Sequence, residues 1–112
     1  MNAPLRLPAT HAAREVAARL GHLAARALVR EAMLTPKPGL VDRANSGAHD
    51  DMDLSTFLAS AKAVGPRLPG FVLEGCALAA APPRTAMAAL RPLGLSCERA
   101  MRAATGGVNT HK

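Results

Sequence analysis

Two phenylalanines and no tryptophan or tyrosine in 112 residues restrict this chain to an aliphatic core. Alanine is its commonest residue, so helices can approach closely while gaining little per contact. A buried Leu or Phe is worth roughly 1.5–3 kcal/mol and an Ala much less. A chain this short buries only about two-thirds of the surface it exposes when unfolded. Marginal stability and one small domain are the expectation, which excludes a large enzyme.

Helical punctuation runs along the whole sequence. Thr10 is placed to cap a first helix whose apolar positions, Val16, Leu20, Leu23, Ala27 and Met33 or Leu34, recur at helical spacing, with Gly21 weakening its interior. Pro36, Pro38 and Gly39 end it, because two prolines fix φ and remove donors. From there to Asp53 no periodicity is present, and a stretch of that length without regular structure is more often functional or disordered than neutral. Asp53 caps a second helix, Leu54 to about Val64, with Phe57, Leu58 and Ala61 inward. Phe71 to Ala81 predicts a third helix, nearly all apolar and expected to be the most buried. Arg84 to Leu90 predicts a short fourth, broken at Pro92-Leu93-Gly94, and Ser96 caps a fifth with Cys97, Ala100, Met101 and Ala104 inward. No strand or repeat is apparent. The fold expected is all-α, bundle-like, with one long functional loop between the first two helices.

A net charge of +6 attracts anions: nucleic acid, an acidic membrane surface, or phosphate-rich small molecules. Specific nucleic-acid recognition finds no aromatic stacking platform and no zinc-finger or RNP pattern. A membrane-surface role finds no Trp or Phe on the first helix, and no apolar run is long enough to span a bilayer. Cys76 and Cys97 stand in no metal-ligand spacing and follow no secretory signal, so a reducing cytoplasm is expected.

Two segments concentrate chemistry. Lys37 to Asp53 holds Lys37, Arg43, Asn45, His49 and all four aspartates, Asp42, Asp50, Asp51 and Asp53. Its glycines let backbone amides approach a ligand. Asp50, Asp51 and Asp53 have the hard oxygen donors that Mg²⁺ takes alongside substrate phosphates. The same acids also suit the N-terminus of the helix that follows, with no metal needed. The second segment, Thr105-Gly106-Gly107-Val108-Asn109-Thr110-His111-Lys112, offers amides, a hydroxyl, an amide side chain and an ammonium in an arrangement that binds anions. It lacks the P-loop spacing, and its glycines equally suit a helix C-cap.

The run Leu34-Thr35-Pro36-Lys37-Pro38-Gly39-Leu40-Val41-Asp42-Arg43, its continuation Asn45 to Asp53, and Ala104 to Lys112 together closely resemble the triphosphoribosyl-dephospho-CoA synthase family. Leu90 to Gly94 and Glu98 to Met101 are similar as well. The resemblance implies an all-α transferase, of which residues 1–112 form the N-terminal part, ending before the family domain does. It implies ATP and 3′-dephospho-CoA as substrates, adenine as the released product, and a prosthetic-group precursor for the acyl carrier protein of malonate decarboxylase or citrate lyase. Under that reading Lys37, Arg43, Asn45, Thr105, Gly106, Gly107, Asn109, Thr110 and Lys112 hold the nucleotide and its phosphates. Asp50, Asp51 and Asp53 present Mg²⁺, Asp42 is the base, and His111 is an acid near the leaving adenine or a phosphate contact. The alternative is a noncatalytic basic helical piece that binds phosphate-rich ligands or nucleic acid, or an inactive remnant.

Overall fold

The computed structural model describes residues 6–35 and 53–110. Among them are four α-helices, α1 (His11–Met33), α2 (Leu54–Val64), α3 (Leu68–Ala77) and α4 (Pro83–Ala104), with a single 3-10 turn, Gly65–Arg67, joining α2 to α3. The described residues contain no strand, so the chain is all-α as its periodicity requires. The long segment expected between α1 and α2 lies outside the described residues.

The helix starts follow local chemistry. Thr10 Oγ1 accepts from the Ala13 amide at 3.0 Å, capping α1. Asp53 caps α2 in a reciprocal box with Thr56. Proline occupies the first turn of both α3 and α4, where its missing N–H costs nothing.

The packing is three-layered. The α2, 3-10 turn and α3 segment forms the middle, with α1 on one side and α4 on the other. Gly21 meets Pro69, Ala25 meets Gly65, and Val29 and Arg30 share a groove with Leu58 and Lys62. As α1 advances, its partners fall back in number, so α1 runs antiparallel to this middle layer. The end of α1 and the start of α2 therefore sit at the same end of the molecule. At the other end of the chain, Arg6 pairs with Glu74 at 2.5 Å and the Leu7 amide donates to the Ala77 carbonyl at 2.7 Å, strapping the N-terminal residues over the end of α3.

Three expectations are corrected. The face of α1 turned inward is the small-residue one: Ala17, Gly21 and Ala32 are buried, whereas Val16, Leu20 and Leu23 are 45%, 49% and 58% exposed. Close approach decides this, because a Cβ built on Gly21 would lie 2.6 Å from Pro69 Cδ and 2.7 Å from Pro69 N, and in contact with Pro69 Cγ. A larger side chain cannot enter such a gap. Next, α3 starts and ends earlier than Phe71 to Ala81 and has no fully buried residue. The buried position at that end is Leu78, just past its last turn. Finally, Pro92 does not break the last helix, since α4 runs unbroken from Pro83 to Ala104 and Ser96 is interior to it. An interior proline costs about 3 kcal/mol and leaves the carbonyl four residues back unpartnered. Pro92 and Ala88 both lie on the solvent-facing side, where water supplies the missing bond, while the opposite face packs on α2 and α3.

Candidate functional site

The second chemistry-bearing segment begins where α4 ends. Gly106 and Gly107 have φ of 67° and 97°, the left-handed backbone that glycine adopts without penalty. The Gly107 amide donates to the Arg102 carbonyl at 2.7 Å, the six-to-one bond of a Schellman closure. Arg102 fastens the turn from outside, donating to the Gly107 carbonyl at 3.2 Å while its Nε and Nη2 engage Glu98 Oε1 at 3.3 and 3.2 Å. The Thr105 hydroxyl lies 2.9 Å from the Met101 carbonyl and 2.6 Å from that of Val108. So the two glycines close the helix, and Thr105, Gly107 and Arg102 hold the reversal that follows.

The reversal carries Asn109 and Thr110 back onto α2. The Thr110 hydroxyl is hydrogen-bonded to the hydroxyl of Ser60, which is 0% exposed. Asn109 lines a cavity of about 340 Å³ with Val64, Phe71, Cys97 and Met101. Its Oδ1 is buried and has no hydrogen-bond partner among the described residues. Such an acceptor is costly to leave unmade and calls for a donor from a ligand or an ordered water. Burial pushes the neighbouring Cys97 thiol up, with Arg67 opposing, so this cysteine is held as the neutral thiol.

Asp53 marks the end of the first segment. Its Oδ1 accepts from the Ser55 hydroxyl at 2.7 Å, the Thr56 amide at 3.1 Å and the Thr56 hydroxyl at 3.1 Å. These bonds, Ser55 foremost, hold its carboxyl below the usual aspartate range. Oδ2 accepts none of the three. Asp53 is therefore the helix cap the sequence allowed. Among the described residues no three His, Cys, Asp or Glu converge as a metal site. Lys37, Asp42, Arg43, Asn45, Asp50, Asp51, His111 and Lys112 lie outside the described residues.

What the fold brings together is clear from α2. Asp53 and Ser60 are seven residues apart, hence on one face and about 10 Å apart along the axis. Asp53, the last residue of the first segment, caps the start of α2, and the second segment is tied to that helix by the Thr110–Ser60 bond. Ser60 is the residue that reading the sequence missed. Its signal was a lone hydroxyl on the apolar face of α2, two turns from the cap.

The family model for ATP:dephospho-CoA triphosphoribosyl transferase, CitG, matches residues 17–112. A probable 2-(5''-triphosphoribosyl)-3'-dephosphocoenzyme-A synthase of Vibrio cholerae is 58% identical over 93 residues, 83% of this chain and 30% of that protein. The similarly named proteins of Albidiferax ferrireducens and Salmonella gallinarum are each 52% identical, over 96% and 86% of this chain and 36% and 32% of theirs. This chain thus spans about a third of the length of the curated relatives it matches. No solved structure matches it. No described helix is long and apolar enough to cross a membrane.

Proposed function

This chain belongs to the ATP:dephospho-CoA triphosphoribosyl transferase family, and we propose that it supplies the nucleotide-gripping part of an enzyme moving the triphosphoribosyl group of ATP onto 3′-dephospho-CoA. In that reaction the bond from the ribose anomeric carbon to adenine breaks, and a bond from the same carbon to the acceptor's ribose 2′-oxygen forms. The 2′-hydroxyl gives up a proton and the departing adenine takes one. Positive charge develops at the anomeric carbon, so the chain must hold a triphosphate, activate a hydroxyl and stabilise a leaving base.

The observation that supports this reading is the bond that holds Thr110, in the second motif segment, to Ser60 on α2, the helix whose N-cap Asp53 is the last residue of the first segment. Asp53 and Ser60 are about 10 Å apart along α2. The positive end of the α2 dipole adds to the attraction for phosphate.

Within this frame Lys37, Arg43, Asn45 and Lys112 grip phosphates, joined by Gly106 and Thr110. Thr105 and Gly107 shape the turn that presents them. Asn109 Oδ1, buried and without a partner among the described residues, accepts from a substrate N–H or O–H. Asp50, Asp51 and Asp53 have the oxygen donors Mg²⁺ prefers, and the ion would neutralise triphosphate charge. Asp42 takes the 2′-hydroxyl proton, and His111 donates to the leaving adenine or contacts a phosphate. The product is the prosthetic-group precursor of a malonate decarboxylase or citrate lyase carrier protein.

The test is adenine release from ATP on addition of 3′-dephospho-CoA, followed chromatographically with a full-length relative and its Asp42→Asn counterpart. Adenine release that depends on the acceptor and collapses in the variant is the expected result. Unchanged release would remove Asp42 from the base role, and no release at all would refute the reaction.

A further inference from the structure

A second feature of the fold lies on the opposite side of α2 from Ser60. Between α1 and the α2–α3 segment runs an open groove of about 850 Å³. Small residues from both walls make its floor, Ala17, Gly21 and Ala25 from α1 and Ala61 and Gly65 from the middle layer, so it is apolar. Its rim is cationic. Arg14, Arg26 and Arg30 come from α1, with His22 between them, and Lys62 comes from α2, and among the described residues no carboxylate lines it. None of these cations is ion-paired among the described residues. Leaving such charges together without partners raises the local potential, which an anion would relieve.

The cations are unevenly spread. Arg26 and Arg30 are one helical turn apart, and Lys62 shares the groove with them from α2, at the end where α1 stops and the Lys37 segment begins. Toward the N-terminal half of α1 the walls become Pro69, Gly70 and Leu73, leaving Arg14 alone at the far rim. A charged head at one end and a slender uncharged body along the floor is the shape this groove complements.

We propose that the groove binds a diphosphate ester bearing a thin, neutral tail, its diphosphate against Arg26, Arg30 and Lys62 and its tail along the Gly21 floor. The 3′-dephospho-CoA molecule has that form, with a diphosphate carrying a pantetheine arm, whereas ATP has the charge without the arm. Assigning the ligand as the transferase acceptor rests on the function proposed above; the groove and its charge do not.

The experiment measures equilibrium binding of 3′-dephospho-CoA, Mg²⁺–ATP, pantetheine and a single-stranded oligonucleotide to the 112-residue chain. The variants are Arg26→Glu, Lys62→Glu and Arg19→Glu. All three side chains are exposed, and Arg19 lies on α1 outside the groove. Circular dichroism verifies the helices, and Lys62→Gln serves if a reversal disturbs them. Expected is a loss of dephospho-CoA affinity of roughly tenfold for each groove reversal, with little change for Arg19→Glu or for Mg²⁺–ATP. Failure of the folded chain to bind dephospho-CoA would overturn the proposal. So would equal losses from all three variants, or oligonucleotide binding that tracks them, since both describe a diffuse basic surface. Equal losses for Mg²⁺–ATP would reassign the groove to triphosphate. Groove binding that survives while a full-length relative releases no adenine sinks the reaction and leaves this site standing.

Discussion

Gly21→Ala should destabilise this protein, although alanine is the better helix former. At an open helical site the exchange gains about 1 kcal/mol. Gly75, inside α3, is such a site, with nothing within 4 Å of a Cβ built there. At Gly21 the new methyl would lie 2.6 Å from Pro69 Cδ and 2.7 Å from Pro69 N, where carbon contacts need about 3.5–4.0 Å. A pyrrolidine ring fused to the backbone cannot swing aside. α1 must therefore retreat by about 1 Å, and overpacking of this kind costs typically 1–3 kcal/mol. Retreat also loosens the Ala25–Gly65 contact one turn on, where a Cβ on Gly65 would already be 3.0 Å from Ala25 Cβ. The net expectation is a loss of up to about 2 kcal/mol for Gly21→Ala against a gain of about 1 kcal/mol for Gly75→Ala. With about 4–8 °C per kcal/mol in a domain of this size, the two variants should melt at least about 4 °C apart, Gly75→Ala higher. Thermal melts followed by circular dichroism at 222 nm decide it. A Gly21→Ala protein as stable as Gly75→Ala would refute the close-packed α1–α3 contact.

Two further outcomes test the anchors on α2. The Asp53 carboxyl is held low by Ser55 and Thr56, so its stabilisation is present above the unfolded aspartate value and lost as pH falls through the lower folded one. Asp53→Asn keeps a capping oxygen but cannot titrate, so its melting temperature relative to wild type should rise as pH drops from about 6 to about 2; a pH-independent difference would contradict this. Ser60→Ala removes the partner of Thr110 at a fully buried position and should cost about 1 kcal/mol. It should also speed amide hydrogen exchange in residues 105–110, and unchanged exchange there would mean that the Thr110–Ser60 bond is not what holds the segment down.

Much of this fold could be read from local chemistry. Thr10, Asp53 and the Gly106-Gly107 pair each announce a helix boundary through a bond the structure makes. Such signals are short-ranged, and the side chain and its backbone partner lie within one turn of each other. What escaped was decided at long range. Periodicity identifies a stripe but not which stripe finds a partner. On α1 the large aliphatics and the small residues both recur at helical spacing, and Pro69, far along the chain, selects the small ones. Pro92 misled for a related reason, since its local cost is outweighed by packing of the opposite face of α4 on two other helices.

The site divides the same way. Both segments were recognisable from residue type, because phosphate chemistry demands amides, cations and carboxylates at close quarters. The contact that ties the second to α2 was not, because Ser60 carries no motif and gains its meaning only when Thr110 arrives from fifty residues away. That contact also ranks the residues around it. Thr105, Gly107 and Arg102 form hydrogen bonds that shape the turn, so replacing them would disturb the presentation of Asn109 and Thr110 rather than remove a ligand contact. Asn109 is the converse case: its Oδ1 is buried and has no hydrogen-bond partner among the described residues. A buried acceptor left so costs stability, which a donor from a ligand or an ordered water would recover.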